Sequence, residues 1–222
     1  MYIVADFGSC HMGKKTYAQE LIRAAKDAGC DCVKAQIFDK SYEKGGNVCL
    51  PRDWVPELFN YAKEQGIPFT ASAFDQNALE ILFALDVPFI KFAYSKSRDP
   101  DPIQACLNIG KKVVVSTDDV GIKKLPVHEN LACLYRMPGN TEETYPNRRM
   151  CNYEGLFPPF AGLSDHSPGL SEAVRATQFG AEWFEKHLTL PYNDITCPDG
   201  AFALKPKEME KYVRAVRRGL EG

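Results

Sequence analysis

Residues 2–38, "YIVADFGSCHMGKKTYAQELIRAAKDAGCDCVKAQIF", decide the fold. The run 2–8 is β-favouring, and residues 14–29 carry apolar side chains at helical spacing with Gly29 as the stop. A second apolar run, 32–38, follows at once. Two such runs joined by a helix form one βαβ unit, because parallel neighbours need a crossover connection.

The unit repeats along the chain. Helix "DWVPELFNYAKEQG" (53–66) precedes "PFTASAF" (68–74), and helix "QNALEILFALD" (76–86) precedes "PFIKFAYS" (88–95). A helix from Asp101 to Ile109 leads to "KKVVVST" (111–117), and the next connection, 118–129, is short and poorly helical. Then come "NLACLYR" (130–136), a weak helix over 141–151, "PFAGLSDH" (159–166), helix 169–180, "EWFEKHL" (182–188) and helix 205–220. Eight strands, each but one with a helix behind it, predict an α/β fold: a compact (β/α)8 TIM barrel over 1–222, in one domain. A doubly wound open sheet is the alternative, but "GSCHMGKK" is not the glycine-rich phosphate loop such a sheet carries after its first strand.

The chain has 222 residues, of which 45% are hydrophobic and 25% charged, and its net charge is −2. This composition suits a globular protein with a sizeable core and gives no reason to expect nucleic acid or an anionic membrane as partner. No apolar stretch reaches the ~18 residues that would span a bilayer, and the first residues lack the charged lead of a signal peptide, so a cytoplasmic protein is expected. Eight cysteines without a CxxC pair match neither a zinc ribbon nor a disulfide scaffold. Reduced, mostly structural thiols are the expectation, with Cys10 a small residue at a strand end.

In a barrel, reactive groups collect at the carboxyl ends of the strands. Those places hold Asp6 and His11, Lys34 and Gln36, Ser72 and Asp75, Lys91 and Lys96, Ser116 and Thr117, and Tyr135 and Arg136. Further along come Ser164, Asp165 and His166, then Glu185, Lys186 and His187. Lys34 and Lys91 stand inside apolar strands, where an ammonium without a partner is costly. Two such lysines make a preformed anion site to which Ser72, Ser116 and Ser164 add hydroxyl donors. Pairing with buried carboxylates is one alternative, and a Schiff-base lysine of aldolase type is another. "SDH" (164–166) and "EKH" (185–187) each end a strand on histidine with a carboxylate at hand. A transition metal between them would use both imidazoles, with Asp165 or Glu185 in support. Phosphate binding by the imidazoles is the alternative.

The ordered set "ADFGSCHMG", "VKAQ", "ASAFD", "KFAYS", "STDD", "SDH" and "EKHLTL" resembles the sialic acid synthases, a branch of the phosphoenolpyruvate-condensing (β/α)8 barrels. Their pattern reads A-E-I-G-x-N-H-x-G, V-K-x-Q, S-T-P-F-D, K-I-A-S, S-T-G, S-D-H and E-K-H-F-T-L. The resemblance implies that His166 and His187 hold a catalytic divalent metal, typically manganese, with Glu185 in support. It places phosphoenolpyruvate on Lys34, Lys91, Ser72, Ser116 and Ser164, turns Gln36 and Asp199 toward the second substrate, and puts Asp6 where the family has glutamate. The implied reaction joins phosphoenolpyruvate to an aldehyde, sugar-type acceptor and gives a 2-keto-3-deoxy acid.

Departures gather on the acceptor side. The family's K-I-A-S-G-E becomes "KFAYSK", which puts Tyr94 and Lys96 at sugar-contact positions, and C-T-x-x-Y-P becomes "CLYRMP", which brings in Met137. Lys96 and Arg136 entering the acceptor pocket would favour an anionic acceptor. The expected barrel lacks the family's antifreeze-like C-terminal domain, so a homodimer, if formed, would rest on helices or loops. Two other readings remain open at this point: a lysine-dependent aldolase or lyase, and a non-catalytic barrel that binds a phosphorylated metabolite.

Overall fold

The computed structural model describes residues 1–43, 48–137, 152–192, 197, 199–200 and 202–219. Its strands are β1 (Tyr2–Asp6), β2 (Cys32–Ile37), β3 (Phe69–Ala73), β4 (Ile90–Phe92), β5 (Val113–Thr117), β6 (Leu131–Arg136), β7 (Gly162–Asp165) and β8 (Trp183–His187). Each pairs in parallel with the next, and β1 pairs with β8, so the expected barrel closes.

The period of two along each strand divides the side chains between two cores. Outward residues such as Ile3, Ala5, Val33, Ala35, Val113 and Val115 pack under the helices. Inward residues Val4, Cys32, Phe89, Val114 and Leu134 form a smaller cluster inside the barrel. Below them Tyr2, Phe89 and Trp183 close the amino-terminal end, their ring centroids 4.5 to 6.3 Å apart. A filled floor leaves only the carboxyl end open to a ligand.

The helices are α1 (Lys15–Asp27), α2 (Trp54–Glu64), α3 (Gln76–Ala84), α4 (Pro100–Asn108), α5 (Ser171–Thr177) and α6 (Pro206–Arg218). Helix α1 buries Ala18, Leu21, Ile22 and Ala25, and α6 buries Met209, Tyr212, Val213 and Val216. Both sets follow the spacing of a single helical face. Between β5 and β6 only a short 3-10 turn, Ile122–Lys124, forms. The Asp118 carboxylate accepts from the N–H groups of Val120 and Gly121, which favours a turn where a helix would begin. The weak helix expected over 141–151 lies outside the described residues. Among the described residues no helix is long and apolar enough to cross a membrane.

The thiol expectation fails for one pair. Cys10, after β1, is bonded to Cys197, after β8, with Cα atoms 5.2 Å apart across 187 residues of sequence. Barrel closure makes β1 and β8 neighbours, and spacing along the chain does not show that. Cys30, Cys32, Cys49, Cys106 and Cys133 are free, as expected.

Gly162 marks the tightest backbone approach. A Cβ there would lie 1.8 Å from the Trp183 carbonyl oxygen, a backbone atom that cannot swing aside. Gly162→Ala is expected to cost about 3 kcal/mol, a fall in melting temperature of ~6–12 °C. Thermal unfolding followed by circular dichroism checks it, and an unchanged melting temperature contradicts the close approach of β7 to β8.

Candidate active site

The inward residues turn from apolar to polar over the last turn of the barrel. Asp6 follows Val4, Lys34 and Gln36 follow Cys32, Lys91 follows Phe89, and Ser116 follows Val114, while on β3 Ser72 follows Thr70. Strand register sets Asp6 beside Lys34, Gln36 beside Ser72, Ser72 beside Lys91, and Ser164 beside Glu185. These residues, with His166, His187, Arg136 and Asp199, line one cavity of about 430 Å³ at the carboxyl ends. Of the residues expected to bind substrate, Lys96 is absent from its wall. Its ammonium accompanies Phe74, Asp75 and Asp99 along a neighbouring hollow and donates to the Tyr42 hydroxyl at 3.1 Å.

A chain of four buried charges forms the cavity floor. Lys34 Nζ lies 2.7 Å from Asp6 Oδ2 and 3.5 Å from Glu185 Oε2, and Lys91 Nζ lies 3.5 Å from Glu185 Oε1. Both lysines are therefore paired with buried carboxylates and still face the cavity. Lys34 also donates to Ser72 Oγ at 3.0 Å, and Lys91 donates to Ser116 Oγ at 2.8 Å and to the Phe92 carbonyl at 3.0 Å. Each serine accepts from an ammonium, so its own O–H is left to donate to a ligand. Ser164 differs, because its hydroxyl donates to Glu185 Oε1 at 3.3 Å.

Burial affects Asp6, Lys34 and Lys91 differently. Burial resists ionisation of Asp6, but the Lys34 charge and the hydrogen bond from the Gly8 N–H outweigh it and hold the carboxyl down at about 2. Burial likewise works against the Lys34 ammonium, and the carboxylates of Asp6 and Glu185 carry its pKa above the usual value. Lys91 has one carboxylate partner and a neighbouring ammonium, so burial prevails and lowers it to about 8.

Across the cavity the His166 and His187 rings stack with centroids 5.4 Å apart. The Nδ1 atoms of both are buried without a hydrogen-bond partner. His187 Nδ1 stands 3.6 Å from Asp199 Oδ2 and His187 Nε2 stands 3.6 Å from Asp6 Oδ2, both too long for hydrogen bonds. Burial, then the nearby His187 and Arg136, lower the His166 pKa to about 2, so its imidazole stays neutral, the form that ligates metals. Two buried Nδ1 atoms without hydrogen-bond partners among the described residues are donors of the kind a divalent transition metal takes. No group of three such ligands converges among the described residues, so the protein would leave several metal positions to water or substrate.

Behind the barrel wall a second buried network holds the loop that carries His166. Asp165 accepts from the Ser167 N–H at 2.8 Å, the Ser167 hydroxyl at 2.6 Å and the Tyr212 hydroxyl at 3.1 Å, and Lys186 lies 3.3 Å away. These outward neighbours of the two histidines are fully buried and do not line the cavity. Asp75 caps α3 through the Ala78 N–H and holds Arg52, and His11 is buried with Nδ1 accepting from the Gly13 N–H. Ala93, Tyr94 and Ser95 complete the lining. Gly8, at φ +43°, lies where a Cβ would come within 2.7 Å of Asp199 Oδ2. Sequence gave Ser95 no signal, and the need for glycine at position 8 appears only when the loop after β8 folds over it.

Residues 39–221 match the NeuB family. The N-acetylneuraminate-9-phosphate synthase of Homo sapiens is 30% identical over 97% of this chain and 69% of its own length. The pseudaminic acid synthase of Helicobacter pylori is 26% identical over 98% of this chain and 74% of its own. Among solved structures, the N-acetylneuraminic acid (sialic acid) synthetase from Leptospira borgpetersenii serovar Hardjo-bovis has a TM-score of 0.83 at 23% identity, covering 99% of this chain and 84% of that one. A truncated 3-deoxy-D-arabino-heptulosonate 7-phosphate synthase from Thermotoga maritima has a TM-score of 0.73 at 13% identity, covering 100% and 87%, and shares the fold.

Lys91 gives the site a pH signature. Its cationic form attracts an anion, is nearly complete well below pH 8, and is lost as pH rises through about 8. Affinity for a fixed dianion such as sulfate is expected to fall by about 10-fold between pH 7 and 9. Calorimetric titration across that range measures it, and a flat profile contradicts the placement of Lys91.

Proposed function

The chain belongs to the NeuB family, and from that premise we propose that it condenses phosphoenolpyruvate with the aldehyde of a sugar-type acceptor in a metal-dependent reaction. The observation that carries this reading is the pair of buried ammoniums, each hydrogen-bonded to a serine hydroxyl, facing two unpartnered imidazoles across one cavity. In the proposed reaction C3 of phosphoenolpyruvate adds to the aldehyde carbon, water adds at C2, and inorganic phosphate leaves. The product is a 2-keto-3-deoxy acid, and the acceptor oxygen ends as a hydroxyl. The relatives' names, N-acetylneuraminate-9-phosphate synthase and pseudaminic acid synthase, support a sugar-acid product.

Lys34 and Lys91 hold the phosphate and carboxylate charge throughout, and Ser72 and Ser116 donate to the oxygens between them. Asp6 is fully engaged by Lys34, Gln36 and the Gly8 N–H. Glu185, whose contacts are longer, is the carboxylate that takes the proton from the attacking water. Gln36 and Asp199 face the acceptor at the mouth. A divalent ion held by His166 and His187, manganese in the first instance, would supply Lewis-acid polarisation of the aldehyde.

A second reading is favoured by the burial of Lys91, which lowers its pKa as suits a lysine that forms a Schiff base. Borohydride trapping with pyruvate separates the two. The test of the main reading is phosphate release from phosphoenolpyruvate with Mn²⁺ and a panel of aldoses, with the keto acid identified by mass spectrometry. Release is expected to require both an aldehyde and a divalent metal, and to fall at least ~100-fold in His187→Ala. Metal-independent release, or a borohydride adduct on Lys91, overturns it.

A further inference from the structure

Every cation on the cavity floor has a carboxylate, but among the described residues the cation at its mouth has none. Arg136, the last residue of β6, is half-buried and lines the cavity beside Tyr94, Ser95 and Ser164. Its guanidinium lies over the Tyr94 ring, 4.8 Å from the centroid, and among the described residues it forms no ion pair. Asp118 stands on the far side of Tyr94, where it accepts from the Tyr94 hydroxyl at 2.6 Å and pairs with Arg98 at 3.2 Å. The Val120 and Gly121 N–H groups bind its other oxygen. That carboxylate is therefore committed to holding the Tyr94 platform. Arg136 keeps its planar fork of donors for something that enters the cavity.

The contact with Tyr94 sets the Arg136 guanidinium apart from the floor. Arg136 stands in register with Ser164, and Ser164 with Glu185, but its guanidinium lies over the ring of Tyr94, two residues beyond the end of β4. Its neighbours Tyr94 and Ser95 belong to the turn after β4, at the entrance. Lys96, the other cation that the sequence brings to this side, is turned into the neighbouring hollow.

We propose that Arg136, stacked on Tyr94, is a subsite for an anionic group, carboxylate or phosphate, carried by the second reactant. This rests on the reading of the floor as the phosphoenolpyruvate site, since only then is the mouth left to a different molecule. A planar guanidinium with two parallel N–H groups matches either oxyanion.

Calorimetry reads the subsite without turnover. Protein saturated with phosphoenolpyruvate is titrated with sorbitol 6-phosphate, gluconate and sorbitol, which distinguish phosphate, carboxylate and neutral probes. At least one anionic probe is expected to bind about 10- to 100-fold more tightly than sorbitol. Arg136→Met is expected to erase that preference and to leave phosphoenolpyruvate affinity within about twofold. Arg136→Lys keeps the charge but loses the fork, so it retains part of the preference and decides the matter if Arg136→Met folds poorly. Equal affinity for the three probes, or a preference that survives Arg136→Met, overturns the subsite. Loss of phosphoenolpyruvate binding in Arg136→Met also overturns it, by moving Arg136 into the first substrate's site. Failure of the unaltered protein to bind phosphoenolpyruvate counts against the reading of the floor instead. The same titration on unliganded protein then still decides whether Arg136 selects anions.

Discussion

Two ammonium groups held almost out of solvent inside a barrel require compensation, and the rest of the site is arranged around that requirement. Lys34 and Lys91 are stabilised by Asp6, from the neighbouring strand β1, and by Glu185, which β8 brings across the barrel closure. Removing one partner of such a buried set leaves an uncompensated charge, typically a loss of ~3–5 kcal/mol. The network is thus a structural commitment, which fixes the cavity before any ligand enters. A preformed electrostatic site of this kind needs little reorganisation when charge develops on a reacting molecule.

The same constraint bears on what the cavity binds. Three cationic side chains, Lys34, Lys91 and Arg136, and three carboxylates, Asp6, Glu185 and Asp199, line it, so its resting charge is close to balanced. The proposed substrate, phosphoenolpyruvate, would add a carboxylate and a phosphate of about −1.5 to −2. A divalent cation held by His166 and His187 would offset most of that addition, which gives the proposed metal an electrostatic role besides carbonyl polarisation.

The barrel was legible because its strands and helices carry different apolar periods, as in 14–29 against 32–38. Lys34 and Lys91 were legible for the same reason, since a lysine at an inward position of an apolar strand has to be explained. The identity of their partners was hidden. Asp6 and Glu185 lie far apart in sequence and meet only through closure, and that also concealed the Cys10–Cys197 bond. Parity along the strand separates Asp165 and Lys186, which brace the wall, from Ser164 and Glu185, which line the cavity. Lys96 misled because it lies in a 3-10 turn, Tyr94–Lys96, where the alternation of a strand no longer says which way a side chain points.

The central claim is that the buried lysine–serine pairs are the seat of a phosphorylated three-carbon acid. A crystal structure of the protein soaked with phosphoenolpyruvate and Mn²⁺ addresses it directly. Ligand oxygens are expected within about 3 Å of the Nζ atoms of Lys34 and Lys91 and of the Ser72 and Ser116 hydroxyls, with both lysines uncombined. Phosphoenolpyruvate bound elsewhere, or carbon density continuous with Lys91 Nζ, would contradict it.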